Sequence, residues 1–406
     1  VHVLFVHQNF PAQFGHIAAE LVRNEGWKAT FVSQTPPPAG SSHSSAIQRV
    51  TYKVKGGAKE VNHYCSRTFE NAIWHTHAVY EALAARPDIK PDLIVGHSGF
   101  GSTLFLRELY GDTPIINYFE YFYATRDSDM DFRKDFPNLP IDMLRARARN
   151  ATLLLDLNNC DAGYSPTQWQ RSRLPDSFRD KVEVCFDGVD TRIWRPRRDE
   201  PRTIANRAIP EGMKVVSYAT RGMESMRGFD IFMKAANRLS KRRSDVLFVV
   251  AGQDRVCYGG DSRHTGGKTF KEWVLSQEEY DLNRFFFTGL LPPAELARLF
   301  TLADVHVYLT VPFVLSWSLV DAMACEATIL ASDTAPVREM ITHGESGLLT
   351  DFFDVDAMAD AMNRVLDRPE EFESLGRRAG SIVTEKYSLD VCLPRLRDFY
   401  ARIGQD

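Results

Sequence analysis

Two arginines, Arg221 and Arg227, flank a turn in the stretch SYATRGMESMRGFD, directly after an apolar run at Val215–Tyr218. Guanidinium forks match phosphate oxygens two at a time, and Gly222 and Gly228 let the backbone come close to a ligand. This turn is a candidate phosphate site; two solvated surface arginines are the plain alternative. A second candidate is Thr310–Asp333, TVPFVLSWSLVDAMACEATILASD. An apolar run ends at Leu309, a short loop spans Pro312–Ser316, and a helix is expected to start at about Ser316–Ser318. The free N–H groups of a helix's first turn suit a diphosphate, here those of Ser316, Trp317, Ser318 and Leu319. Asp321, one turn in, can accept hydrogen bonds from vicinal ribose hydroxyls; as Ser318-x-x-Asp321 it can instead cap its own helix. His97 follows another apolar run, in GHSGFGS, where it can bond a substrate hydroxyl or serve as a structural histidine.

Other stretches argue more weakly. Gly96, Gly99 and Gly101 do not have the GxGxxG spacing, which disfavours a dinucleotide enzyme. Gly259–Thr269 ends like a phosphate loop but carries Ser262 where that loop needs glycine, so a polar insertion is preferred. Asn117–Asp131 mixes aromatic rings with carboxylates, a composition that suits a sugar, and nominates Glu120 and Asp127 for the sugar or acceptor side. Arg145, Arg147 and Arg149 lie near Met143, Leu144, Leu153 and Leu154; a solvated basic face is preferred to weak association with a membrane surface. The eleven histidines form no HxxxH or HExxH pattern and the six cysteines no CxxC pair. No metal site is expected, and the thiols read as reduced and structural in a cytosolic protein.

The elements that must position these residues alternate. Val1–Val6, Lys28–Ser33, Gln48–Val54, Asp92–Val95, Pro114–Tyr118, Cys160–Ser165 and Val182–Phe186 read as strands, with helices between them, and Thr35–Ser45 as a mobile loop. A Pro- and charge-rich stretch, DGVDTRIWRPRRDEPRTIANRAIPEGM, has linker composition, after which the alternation restarts. The expected architecture is α/β: two Rossmann-like, doubly wound domains facing each other across a cleft, 1–195 and 212–387. At 406 residues the chain is too long for one core. With 44% apolar and 25% charged residues it has a soluble protein's composition, and a net charge of −4 disfavours a nucleic-acid partner. No apolar run reaches membrane-spanning length, and no signal peptide precedes the first strand, so a cytoplasmic location is expected, with an inner-membrane surface as the furthest excursion.

The motifs HQNFPAQFGHIA, DLIVGHS, GYSPTQWQ, FDGVDTRIWRP, TRGMESMRGFD, FFFTGLLPPAELARLF, LVDAMACEATILASDTAPVREMI and HGESGLLTDFFD, in this order, resemble the retaining GT-B glycosyltransferases of family 4. The resemblance implies that helix 388–406 packs back on the first domain. It also implies that Arg221 and Arg227 bind the donor diphosphate, the second standing where the family has lysine. Asp321 falls on the second acid of the E-x7-E motif, which holds the ribose; His97 matches the histidine near the donor sugar. Gly15 lies in the first-domain loop that approaches the phosphates, and Leu290 and Leu291 fall in the donor-pocket motif. Phe313 replaces the first acid of E-x7-E, and Ser316 the usual loop glycine, so a subgroup built around FVLSWSLVDAMA is expected.

The implied reaction moves a sugar from a UDP- or GDP-sugar to a hydroxyl of a glycan, lipid-linked or small-molecule acceptor with retention, without metal or cofactor. The departing diphosphate serves as base. A non-catalytic nucleotide or sugar binder is the first alternative, suggested by Phe313. An epimerase or phosphorylase on a similar fold is the second, and a phosphate-loop NTPase the third.

Overall fold

A computed structural model describes residues 1–35 and 46–404; apart from Thr35, the loop expected at Thr35–Ser45 lies outside them. The chain forms two compact units, one of Val1–Thr125, Leu139–Gly188 and Leu389–Asp406, the other of Arg126–Asn138 and Val189–Ser388.

The first unit holds strands β1 (His2–Val6), β2 (Lys28–Ser33), β3 (Ile47–Thr51), β4 (Leu93–His97), β5 (Ile115–Tyr118), β6 (Ala162–Ser165) and β7 (Val182–Val184). They lie in the order β3-β2-β1-β4-β5-β6-β7, every pair parallel. A parallel sheet covered on both faces needs apolar side chains on both, and β1 is buried at all its positions. Val3 and Phe5 face a core shared with Phe14, Ile17, Leu21, Phe399 and Tyr400; Leu4 and Val6 face the opposite one, with Val79, Leu83, Leu153 and Leu157. The C-terminal helix Leu389–Ile403 belongs to the first of these cores, and the Tyr400 and Tyr164 hydroxyls meet there at 2.9 Å.

In the second unit a hairpin, β8 (Thr203–Ile204) and β9 (Arg207–Ala208), precedes β10 (Lys214–Gly222), β11 (Val246–Gln253), β12 (Phe285–Gly289), β13 (Val305–Tyr308), β14 (Ile329–Ser332) and β15 (Leu348–Thr350). The large sheet runs β12-β11-β10-β13-β14-β15, all parallel. In both sheets the strand order reverses once, between β1 and β4 and between β10 and β13. Ligands of open α/β sheets bind beyond the carboxyl ends of the strands at such a reversal.

Two parts of the expected domain division are corrected. The stretch of linker composition belongs to the second unit from Val189 on and carries a hairpin, in which Ala205 and Asn206 both take positive φ (47° and 62°), the conformation of a two-residue turn. The stretch also packs on the rest of that unit, where Arg298 binds Glu200 at 2.7 Å and the Glu295 carboxylate accepts the Ala205 N–H at 3.3 Å. Residues 126–138, read as part of the first domain, belong to the second unit. There the buried Arg133 guanidinium bonds both Asp230 oxygens (2.9 and 2.7 Å) and the Ser225 carbonyl (2.9 Å). Phe132 packs on Phe352 and Phe353, and Phe136 on Phe270 and Trp273. A buried arginine is held by its carboxylate partner rather than by its place in the sequence.

The loop that follows β4 is positioned from helix Pro140–Asn159. The buried Asp156 carboxylate accepts the Ser98 hydroxyl at 2.7 Å and the Ser102 hydroxyl at 2.8 Å. Burial outweighs those bonds and lifts its pKa from 3.8 to about 6. The native state therefore binds the proton more tightly than the unfolded chain, and stability is lost as pH rises through about 4 to 6. We expect urea unfolding of wild type to weaken across that window by on the order of 2–3 kcal/mol relative to Asp156→Asn; parallel pH profiles would refute this. Tyr400→Ala is expected to destabilise the first unit by about 3–5 kcal/mol, read as a lowered denaturant midpoint, through loss of a buried ring.

Candidate functional site

Strand β10 ends in the turn that carries the two arginines. Gly222 is required by close approach: a Cβ there would stand 2.5 Å from the Arg255 carbonyl and 2.7 Å from the Cys257 sulfur. Arg221 is exposed, and its side chain makes no hydrogen bond among the described residues. Arg227 is buried, with one amino group donating to the Thr310 hydroxyl at 2.6 Å and the Val314 carbonyl at 3.1 Å. Its guanidinium is thus laid along the loop that follows β13. The Tyr218 hydroxyl donates to the Arg227 carbonyl at 2.6 Å and fixes the turn from the sheet side.

A second loop closes on this turn through two carboxylates. Glu224, fully buried, accepts the N–H groups of Cys257, Tyr258 and Gly259 at 2.9, 2.8 and 3.2 Å. Asp261 accepts the Ser225 N–H at 2.7 Å and the Ser225 hydroxyl at 2.5 Å. Burial raises the pKa of both carboxyls, against the pull of those bonds. This clamp sets the Tyr258 ring 5.2 Å from the Arg227 guanidinium and 5.7 Å from Phe313. Phe313 is itself buried, 8% exposed. The phosphate-loop-like stretch has a local explanation: Thr269 caps the helix Phe270–Leu275 in a reciprocal box with Glu272.

The helix expected at Ser316–Ser318 runs from Ser318 to Ala324. Two of the four N–H groups assigned to a ligand are used internally, which corrects that expectation: Ser316 donates to the Tyr308 hydroxyl at 2.9 Å and Leu319 to the Ser316 carbonyl at 3.1 Å. Trp317 and Ser318 make no such backbone bond among the described residues. The Ser316 and Ser318 hydroxyls bond each other at 2.9 Å. The capping role weighed for Asp321 is absent, because the helix cap falls on Trp317 and no side chain fills it. The Asp321 carboxylate makes no hydrogen bond among the described residues, and burial alone pushes its pKa well above the usual carboxylate range. Leu290 is exposed and shares a pocket with Met223, Gly252, Arg255 and Lys271, whereas Leu291 is half-buried beside it.

In the first unit His97 ends β4 and is 1% exposed. Its Nδ1 meets the Ser98 carbonyl at 3.0 Å; its Nε2 lies 3.9 Å from a Glu120 oxygen and makes no hydrogen bond. Burial, and then the neighbouring His7 ring at 5.1 Å, hold His97 neutral, well below the ordinary histidine pKa. Gly15 is not in a loop: it opens the helix Gly15–Arg23, and a Cβ there would stand 2.9 Å from Pro11. Its glycine serves helix–loop packing. Asp127 is exposed and belongs to the second unit, whereas Glu120 belongs to the first; its N–H donates to Asp131 at 2.9 Å in the turn before the helix Asp129–Phe132.

Three residues of these sites were missed from sequence: Glu224, Tyr258 and His7. His7 carried the same signal as His97, a polar residue at the end of an apolar strand. Glu224 and Tyr258 carried none, since their pairing joins residues more than thirty positions apart.

The chain aligns over 99% of its length with sucrose-phosphate synthase from Thermosynechococcus elongatus, 98% of which is covered, at a TM-score of 0.72 and 18% identity. With Anabaena HepE in complex with UDP and glucose the TM-score is 0.71 at 13% identity, covering 99% of both chains. These likenesses show the fold, two parallel-sheet α/β domains of the GT-B kind. Among curated proteins the chain is 26% identical to a D-inositol 3-phosphate glycosyltransferase of Corynebacterium glutamicum over 73% of this chain and 69% of that one. It is also 26% identical to an alpha-D-kanosaminyltransferase of Streptomyces kanamyceticus, over 54% and 52% of the two chains. The matches thus span only about half to two thirds of those relatives. Residues 25–194 match the model of the glycosyl transferase family 4 group and residues 199–381 that of glycosyl transferases group 1, so two glycosyltransferase models match successive parts of the chain.

Proposed function

We propose that the protein is a retaining glycosyltransferase that moves a sugar from a UDP- or GDP-sugar to a hydroxyl acceptor in glycan, glycolipid or glycoconjugate synthesis. The observation that carries this reading is the Arg227 guanidinium, buried beside the loop after β13, with the exposed Arg221, which makes no hydrogen bond among the described residues, at the end of β10 before the same turn. The held Arg227 guanidinium, with Arg221 on the same turn, stabilises the charge that develops on a departing diphosphate and supplies positive charge without a metal ion. The unbonded N–H groups of Trp317 and Ser318 add donors on the same side. Asp321, uncapped and unbonded, is the acceptor for ribose hydroxyls. UDP is favoured as the base-bearing half because HepE, of the same fold, binds UDP and glucose.

In the reaction the bond from the sugar's anomeric carbon to the diphosphate oxygen breaks, and its electron pair stays on the diphosphate. The acceptor hydroxyl attacks on the same face, and its proton passes to a released phosphate oxygen. His97, neutral and with Nε2 unsatisfied, is placed to bond a sugar hydroxyl rather than to act as a charged acid.

Phe313 favours a second reading, a non-catalytic nucleotide-sugar binder, since a buried ring against Tyr258 replaces a carboxylate. Product analysis separates the two: the transferase reading requires a glycosylated acceptor or, failing an acceptor, slow donor hydrolysis.

Arg227→Ala is expected to lower turnover by about 10²–10³-fold, with Arg227→Lys recovering part of it; near wild-type turnover in the alanine variant would sink the phosphate assignment. Arg221→Ala tests the ligand role free of folding effects. We expect its thermal midpoint to be unchanged while UDP or GDP binding weakens about 10-fold, the loss of one charge-assisted hydrogen bond; titration calorimetry reads both nucleotides.

A further inference from the structure

Helix Pro140–Asn159 of the first unit is inverted in polarity. Its two acids point inward: Asp142 is buried and accepts the Tyr64 hydroxyl at 2.9 Å, and Asp156 is buried between Ser98 and Ser102. Asn150 is buried too, its amide donating to the Tyr123 carbonyl at 2.7 Å. Leucines stand outside instead. Leu144 is 62% exposed, and Leu154 and Leu155 are each 40% exposed. With the half-buried Ala148 and Ala151 they recur at the three- and four-residue spacing of one helix face. Leu139, just before the helix, is likewise exposed.

The charges on this side are of one sign. Arg147 lies on the leucine face, exposed and without a hydrogen bond among the described residues. Arg145 and Arg149 flank it, and their bonds go to neutral groups. Arg145 donates to the Tyr64 hydroxyl at 3.0 Å and the Thr68 hydroxyl at 3.4 Å, and Arg149 to the Tyr123 hydroxyl at 2.6 Å. Each also lies over the ring of its tyrosine, at 4.6 and 3.8 Å from the centroid. None of the three makes an ion pair with a carboxylate among the described residues. The helix thus presents apolar side chains rimmed by guanidiniums that no acid neutralises, on a chain whose net charge is −4. A second copy would bring three more arginines to the same face, so like charges oppose self-association.

We propose that the Leu144–Leu155 face of this helix docks on an anionic lipid surface, the leucines entering the interface and Arg145, Arg147 and Arg149 meeting headgroup phosphates. Composition alone fits a solvated basic face; the outward leucines and inward acids are what favour a bilayer. The stacked Arg145–Tyr64 and Arg149–Tyr123 pairs have apolar bodies and polar tips, which suits the boundary between lipid and water. No helix among the described residues is long and apolar enough to cross a membrane, and the proposed contact lies in the plane of the bilayer. The proposal takes nothing from the transfer reading above, since it concerns where the protein sits and not what it transfers.

The test is co-sedimentation of the full chain with vesicles of phosphatidylcholine alone and of phosphatidylcholine mixed with phosphatidylglycerol. Binding to the mixed vesicles is expected to be on the order of 10²-fold tighter, about five-fold for each arginine near the surface, and to weaken as salt is raised. Leu144→Gln combined with Leu155→Gln should lower that binding by on the order of 10²-fold with the thermal midpoint unchanged, both side chains being exposed. Arg147→Ala should lower it about five-fold. Leu154→Trp supplies a readout that keeps the apolar surface: its emission, read against wild type, should shift to the blue on mixed vesicles. Absence of binding to mixed vesicles, binding that survives the double leucine substitution, or an unshifted Leu154→Trp spectrum overturns the proposal. A concentration-dependent dimer that the leucine substitutions abolish, without vesicle binding, assigns the face to a second copy and overturns it as well. Should the double variant not fold, Arg147→Ala and Leu154→Trp decide.

Discussion

Along a parallel strand covered on both faces a polar side chain needs a polar neighbour, as the buried Ser217 meets His306 at 2.9 Å, so the groups left for a ligand collect where the strand ends. Both sheets obey this constraint, and the chemistry follows from it. His7, His97, Glu120 and Asp187 stand at or just beyond the carboxyl ends of first-unit strands, Arg221 at that of β10, and Arg227 and the Thr310–Ser318 loop beyond those of β10 and β13. The strand order reverses between β1 and β4 and between β10 and β13. Connections leave such neighbours in opposite directions, which opens the space that backbone would otherwise fill.

Within the second unit the arginine turn is held from three sides. Tyr218 fixes its carbonyl from the sheet, Glu224 and Asp261 fasten the 257–261 loop over it, and Thr310 and Val314 receive the guanidinium. Burying two carboxylates is unfavourable unless backbone N–H groups meet them, and five such bonds or hydroxyl contacts do so here. The geometry around Arg227 is therefore set before any ligand arrives. The Tyr258–Phe313 contact gives that side of the turn an aromatic surface where the related E-x7-E motif carries a carboxylate. Segment 126–138 adds to the same turn, because Arg133 binds the Ser225 carbonyl as well as Asp230.

Local patterns carried much of this in the sequence. Continuous apolar runs announced the buried strands, and polar residues placed just after them announced His97 and the two arginines. What escaped notice depended on contacts remote in sequence. Asp127 and Glu120 looked like one aromatic-acidic loop, but Arg133 and two phenylalanines draw the residues around Asp127 into the other unit. Gly15 looked like a phosphate-loop glycine, and the neighbour that requires it is Pro11. The Ser318/Asp321 spacing was compatible with a cap, but a cap needs its hydroxyl at the position before the first helical residue, and Ser318 is that first residue.

By itself the sequence determined the class of fold, two α/β domains, and the strand ends at which chemistry would sit, because strand periodicity and turn composition are local properties of the chain. Only the tertiary structure decided which N–H groups of the Ser316–Leu319 turn remain for a ligand, and which carboxylates are clamped, as those of Glu224 and Asp261 are. Those outcomes depend on desolvation and on hydrogen bonds between residues tens of positions apart. No local pattern encodes either.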